Sequence, residues 1–283
     1  MKKFIVFIGI FLLAGCSSKL AYNNLDWLIY WYMDDYVELT DPQEKVFDNT
    51  LTGWIDWHRS EQLALYIRQL NELKRDIETN NLNKDTIAKH LDQANKHIIT
   101  LRQRVAPELA ELATRLNDEQ IIYLFAAIRK QNEEKSEDLI EYNSLSAEEK
   151  TEKLIEQFSE QVEDRLGALT EQQEALIKKN AVYFTNTRTN WLAYRITMQN
   201  EARKLFARKT DNVAFVQALT DLLQHPDNYR SEEYLAKREE NRTAYLHLAT
   251  ELANTITPKQ KAHLLDSIND LIEDVEGLID SAP

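Results

Sequence analysis

The chain has a single cysteine, Cys16, so it forms no internal disulfide and carries no thiol pair for redox or metal chemistry. Turn formers are scarce: five glycines and five prolines in 283 residues, with Gly9 and Gly15 both ahead of Cys16. So few punctuating residues exclude a loop-rich sandwich or barrel, and the abundance of Leu, Ala, Glu, Gln and Lys favours long helices. No run of alternating β-branched residues bounded by Gly or Asn signals a strand. Basic charge is short as well, with 34 Lys and Arg against 47 Asp and Glu and a net charge of −13. That balance argues against nucleic acid as a ligand. Catalytic patterns are missing too: no Gly-x-Ser-x-Gly elbow, no phosphate-binding glycine loop and no His-Glu-x-x-His. None of the six histidines has Glu three residues before it, and His90 and His97 have no third ligand nearby in sequence. The expectation is a protein that is not an enzyme, with no cofactor and no metal.

What is present begins at the N-terminus. Lys2 and Lys3 precede an apolar run, Phe4 to Leu13, which is too short to span a bilayer and reads as a signal peptide over residues 1–15. Leu13-Ala14-Gly15-Cys16 resembles the bacterial lipobox, in which the cysteine is acylated and becomes the first mature residue. Ser17 and Ser18 follow, and serine beside the cysteine implies, by resemblance to the Gram-negative sorting rule, transfer to the outer membrane facing the periplasm. Removing residues 1–15 takes away two lysines and no acid, which leaves a net charge of −15.

Five segments then share one helix-start pattern, a small polar cap followed three residues later by Gln or Glu: Thr40/Gln43, Asn117/Gln120, Ser146/Glu149, Thr170/Gln173 and Thr257/Gln260. With Asn80-Asn81 and His225-Pro226-Asp227 as interruptions, they predict helices over 25–38, 41–78, 84–105, 107–115, 118–141, 147–167, 171–209, 212–224, 231–255 and 258–280. The fold class is all-α, an extended or curved multi-helix array. Glu111-Leu112-Ala113 with Gln120 recurs as Glu251-Leu252-Ala253 with Gln260, an offset of 140, and Leu39-Thr40 with Gln43 recurs as Leu169-Thr170 with Gln173, an offset of 130. Trp54-Ile55 with Trp57 resembles Trp191-Leu192 with Tyr194 at 137. These offsets raise the expectation of a tandem duplication, with repeats at 39–141 and 169–283, a connecting helix at 142–168, and an anchor with an aromatic helix at 16–38. Chance alignment of Leu-, Ala- and Glu-rich helices is the competing account.

The paired Leu-Thr-x-x-Gln motifs resemble the Spy/CpxP family of periplasmic chaperones. That resemblance implies two Spy-like units fused into a pseudo-dimer, holding unfolded envelope proteins without ATP. The stretch from Tyr22 through Trp27, Trp31 and Tyr36 to Thr40 resembles a group of Gram-negative lipoproteins known only as a domain of unknown function. An envelope structural or adaptor protein for one folded partner is the alternative role.

Candidate partner-binding residues are the aromatic pairs Trp54/Trp57 and Trp191/Tyr194, whose rings either line a cradle or pack in the core. Arg188, Arg195 and Arg203 join them, spaced seven and eight apart on one helix face. They belong to a basic stretch, 178–209, of net charge +7, set against an acidic stretch, 133–165, of −8. The two stretches either neutralise each other or leave the arginines facing an acidic partner or lipid phosphates. The aromatic segment Tyr22 to Tyr36 likewise lies either in the core or against headgroups. Mass spectrometry of the mature chain is expected to find Cys16 at its N-terminus with acyl chains attached; an unmodified N-terminal peptide refutes the lipobox reading.

Overall fold

The computed structural model describes residues 21–209 and 212–280; the signal segment, Cys16, Ser17 and Ser18 lie outside the described residues. The described residues are all-α, without strands, and form eleven α-helices: α1 (Leu25–Met33), α2 (Asp41–Trp57), α3 (Leu63–Glu78), α4 (Lys84–Ala113), α5 (Asp118–Ser144), α6 (Ala147–Leu166), α7 (Glu171–Asn180), α8 (Arg188–Phe206), α9 (Asn212–Gln224), α10 (Glu232–Ala253) and α11 (Pro258–Asp280). All five expected starts carry the reach-back bond. The N3 side chain accepts from the cap N–H at 2.9 Å for Gln43 and Thr40, 3.0 Å for Gln120 and Asn117, 2.7 Å for Glu149 and Ser146, 3.0 Å for Gln173 and Thr170, and 3.1 Å for Gln260 and Thr257.

Three boundaries differ from the sequence reading. Pro107 was expected to separate two helices, yet α4 runs through it. Proline lacks the N–H that would bond the carbonyl of Gln103, and Gln224 Nε2 from α9 donates to that carbonyl at 3.1 Å instead. A tertiary partner thus repairs the local defect. Conversely, the uninterrupted helix expected over 171–209 breaks at a 3-10 turn, Ala181–Tyr183. There Asn180 Nδ2 bonds Glu251 at 2.6 Å, Thr185 exchanges two bonds with the Asn241 side chain at 2.7 and 2.8 Å, and Phe184 turns into the core. Helix α1 ends at Met33, short of Glu38. Between α2 and α3 the chain stays helical through a π segment, His58–Gln62, so 41–78 is one rod with a single widened turn.

The buried side chains form several clusters spread along the array. Phe47, Leu51 and Trp54 of α2 are buried against Leu39 and Leu112; Ile177 of α7 and Leu248 and Leu252 of α10 are buried against Leu169 and Phe184. Offsets of 130 and 140 carry Leu39, Phe47 and Leu112 onto Leu169, Ile177 and Leu252. The offset of 130 also carries Trp54 onto Phe184, so Phe184 holds the place in its cluster that the sequence match assigned to Trp191. Helix packing follows the same logic. The pair α2 and α4 is matched by α7 and α10, and α3 with α4 by α8 with α10. The last helix of each segment crosses over: α11 packs on α3, while α5 packs on α8. Residues 39–141 and 169–280 therefore exchange helices and do not form separate globules.

Where the boxes meet, the glutamines pair. Gln43 Nε2 donates to Gln120 Oε1 at 3.0 Å and Gln120 Nε2 returns a bond to Gln43 Oε1 at 2.8 Å. The remaining amide hydrogens reach the carbonyls of Arg115 and Glu38, at 2.7 and 2.6 Å. Gln173 and Gln260 repeat this at 2.9 and 2.8 Å, with the carbonyls of Thr255 and Ala168 at 3.3 and 2.9 Å. Each carbonyl belongs to the residue two before the opposing cap. Every glutamine thereby uses both donors and both acceptor positions. Glu149, the one carboxylate in this set, has no such partner and is exposed. Gln173→Glu is expected to cost about 3 kcal/mol or more, since a buried carboxylate cannot donate to Gln260 or Thr255. Glu149→Gln should shift stability by less than about 0.5 kcal/mol. Urea unfolding of both variants checks the contrast.

Candidate interaction surface

Helix α8 carries the basic stretch, and its arginine face is turned toward α5. The Arg188 guanidinium lies over the Tyr142 ring, 4.2 Å from its centre, and Arg203 lies 5.2 Å from that of Phe125. Between them Arg195 donates from Nε to Asn132 at 2.8 Å and from Nη2 to Gln131 at 2.7 Å. Asn132 and Gln199 exchange a second pair of amide bonds, and Gln131 donates to the Tyr36 hydroxyl, which meets that of Tyr32 at 3.0 Å. Arg195 thus ties α8 to α5 and, through Gln131, to the aromatic N-terminal segment. The arginine face meets rings and amides of α5. Arg188 and Arg203 are exposed, Arg195 half-buried. A shallow cleft of about 520 Å³ runs beside Arg203, lined also by Thr197, Asn200, Glu201, Lys204 and Ala207.

The aromatic pairs divide. Trp54 is 9% exposed, sits edge-on to Phe47 and donates its indole N–H to Glu108, so it belongs to the core and offers no ring face to a partner. Trp57 is half-buried under Arg104, whose guanidinium also pairs with Glu108 at 2.8 Å. Trp191 is half-buried beside Arg195. The Tyr194 ring lies tilted against that of Tyr234, 6.0 Å between centres, with Arg230 set 5.0 and 5.8 Å from the two ring centres. Arg188, Trp191, Arg195 and Arg203 are thus gathered along one seam, with Tyr194 on the α10 side of the same helix. Trp54 and Trp57 lie on α2, in another cluster.

Sequence reasoning missed a polar centre at the π segment. His58 Nδ1 meets the Tyr22 hydroxyl at 2.9 Å and its Nε2 meets that of Tyr66 at 3.1 Å. Tyr66 also packs edge-on to His97, which bonds Gln69 at 2.8 Å. Burial lowers the His58 pKa to about 4 and pushes the Tyr66 hydroxyl up to about 12. Tyr22 is 5% exposed, so this centre pins the start of the described chain to α3 and α11. The only sequence signal was a histidine flanked by aromatics at 22, 57 and 66, and nothing local showed that those rings converge. His90 does not join His97; it pairs with Asp76 at 2.9 Å, and Asp76 is held below the usual carboxylate range by its bonds from Asn81 and His90. Among the described residues no group of three His, Cys, Asp or Glu is placed to hold a metal ion.

These residues define an all-helical protein with an arginine-aromatic seam between α5 and α8. The chain belongs to DUF6279, a family of unknown function, which matches residues 35–235. The matched span contains the first glutamine pair and Gln173, and stops short of Gln260. No curated protein and no solved structure matches the chain.

The folded state holds His58 neutral well below the pH at which the unfolded chain binds its proton. The unfolded state therefore takes up more protons between pH ~6.5 and ~4, and stability should fall as pH drops through that window. His97, also lowered by burial, acts in the same direction. Unfolding midpoints for wild type and His58→Gln across this range should diverge, with the variant showing the flatter profile.

Proposed function

We propose that this chain is an outer-membrane lipoprotein, tethered through Cys16 and facing the periplasm, that works as an ATP-independent holding module for envelope proteins in the manner of Spy-like chaperones. The observation that carries this reading is the glutamine pair made twice with one hydrogen-bond pattern. Each pair joins a Leu-Thr-x-x-Gln segment of the kind that prompted the comparison to a variant of it: Thr40/Gln43 with Asn117/Gln120, and Thr170/Gln173 with Thr257/Gln260. The matched helix exchange supports two fused, related units. Exposed apolar side chains interspersed with charge, such as Ile122, Tyr123 and Ile140 on α5 and Leu235 and Tyr245 on α10, offer the scattered contacts that a weakly selective holder uses.

One observation favours the alternative of an adaptor for a single folded partner. The α5–α8 seam is fixed by Arg195 and its amide partners, and a rigid surface suits a partner of defined shape. The form lacking residues 1–16 is expected to suppress aggregation of several unrelated unfolded clients at stoichiometric excess. No suppression of any client refutes the holding role. Crosslinking in cells separates the two readings: many envelope precursors for a holder, one dominant partner for an adaptor.

A further inference from the structure

Helix α1 divides its aromatic residues between two faces. Ile29, Tyr30 and Met33 pack on the Phe47–Leu51–Trp54 cluster, and Tyr30 donates to Asp48 at 2.6 Å. Trp27 and Trp31, one turn apart, project away from that cluster and stack with ring centres 6.3 Å apart and planes 15° from parallel. They are 62% and 45% exposed, although indole is the side chain whose ring most favours leaving bulk water for an interface. No residue of α1 is buried, so the helix is a thin layer with its apolar rings outward.

We infer that Trp27 and Trp31 form a membrane-facing patch that seats α1 in the headgroup layer of a zwitterionic phospholipid surface. The inference rests on the proposed anchoring through Cys16, because chain length then limits where the rings can be. Five residues from Cys16 to Ala21 span at most ~18 Å, and the helical residues after them rise ~1.5 Å each, which places Trp27 within about 27 Å of the acylated residue at full stretch. Tyr22, six residues past Cys16, is already locked into the core by His58, so only the residues ahead of it separate the folded body from the anchor. Charge selects the lipid. Between Cys16 and Leu39 the chain carries Asp26, Asp34, Asp35 and Glu38 against the single base Lys19, so anionic headgroups would be repelled. Two stacked indoles bury apolar area and leave their N–H groups at the carbonyl level without needing a basic flank.

The test uses the full-length lipidated protein in phosphatidylcholine vesicles whose acyl chains carry bromine near the headgroup. Tryptophan emission is compared for wild type and a Trp27→Phe/Trp31→Phe double variant, with unchanged unfolding midpoints confirming that the fold is intact. Wild-type emission should be quenched relative to unbrominated vesicles, the quenched component should be lost in the variant, and it should shrink when phosphatidylglycerol is mixed in. Acylated protein that floats with vesicles but shows no quenching, or equal quenching in both proteins, overturns the patch alone and assigns the rings to a protein partner or to solvent. An N-terminal peptide without acyl chains overturns the anchoring reading and the patch together.

Discussion

The reciprocal glutamine pair is the interaction on which the helix arrangement depends. A helix N-terminus leaves backbone N–H groups without partners, and two such ends facing each other would ordinarily stay in water. Here the side chain that caps each end also bonds the glutamine and a loop carbonyl of the other end. Gln173 is fully buried because all of its hydrogen-bonding positions are met, by the Thr170 N–H, the Thr255 carbonyl and both polar atoms of Gln260. An amide is required, since a carboxylate has nothing to donate and a hydrocarbon would orphan the loop carbonyls. The pair fixes the starts of α2 and α5 together, and those of α7 and α11. Two of these four helices, α5 and α11, are the ones that cross between the segments.

The arginines of α8 complement this scheme. In a chain with net charge −13, a helix of strongly basic character invites an acidic partner, yet the guanidiniums are laid against rings and amides of α5. Planar guanidinium suits this use, because it stacks on an aromatic face while its N–H groups fork to two acceptors. The seam between α5 and α8 is polar and directional, in contrast to the aliphatic seam between α3 and α11, where Leu63, Ile77, Ile268, Ile272 and Val275 interlock. The two crossings are therefore held by different forces. The aliphatic one supplies core, and the polar one leaves Arg188 and Arg203 at the surface beside the α8 cleft.

The N-terminal segment joins the two ends of this construction. Tyr22 reaches the π segment and α11, Tyr30 the α2 cluster, and Tyr36 the Arg195 network through Gln131. Contacts of this one segment therefore reach α3, α2 and α5. His58, the first residue of the π segment, sits between two tyrosine hydroxyls.

Local chemistry by itself determined a good deal: the all-helical class, all five boxed helix starts, the positions of the main interruptions and the membership of Trp27 and Trp31 on one face. Caps and helix propensities act over three or four residues, so they can be read from the chain directly. Tertiary structure decided what those signals could not. Pro107 stays inside a helix because Gln224, far along the chain, bonds the carbonyl it leaves open. The helix expected over 171–209 breaks because Asn180 and Thr185 find partners on α10. Trp54 is core and Trp27 is not, although both are tryptophans on helices, because only the first faces α4. Above all, the difference between Gln and Glu at the third helical position looked immaterial to a capping box. It became decisive once two boxes were brought face to face, because only an amide can donate as well as accept.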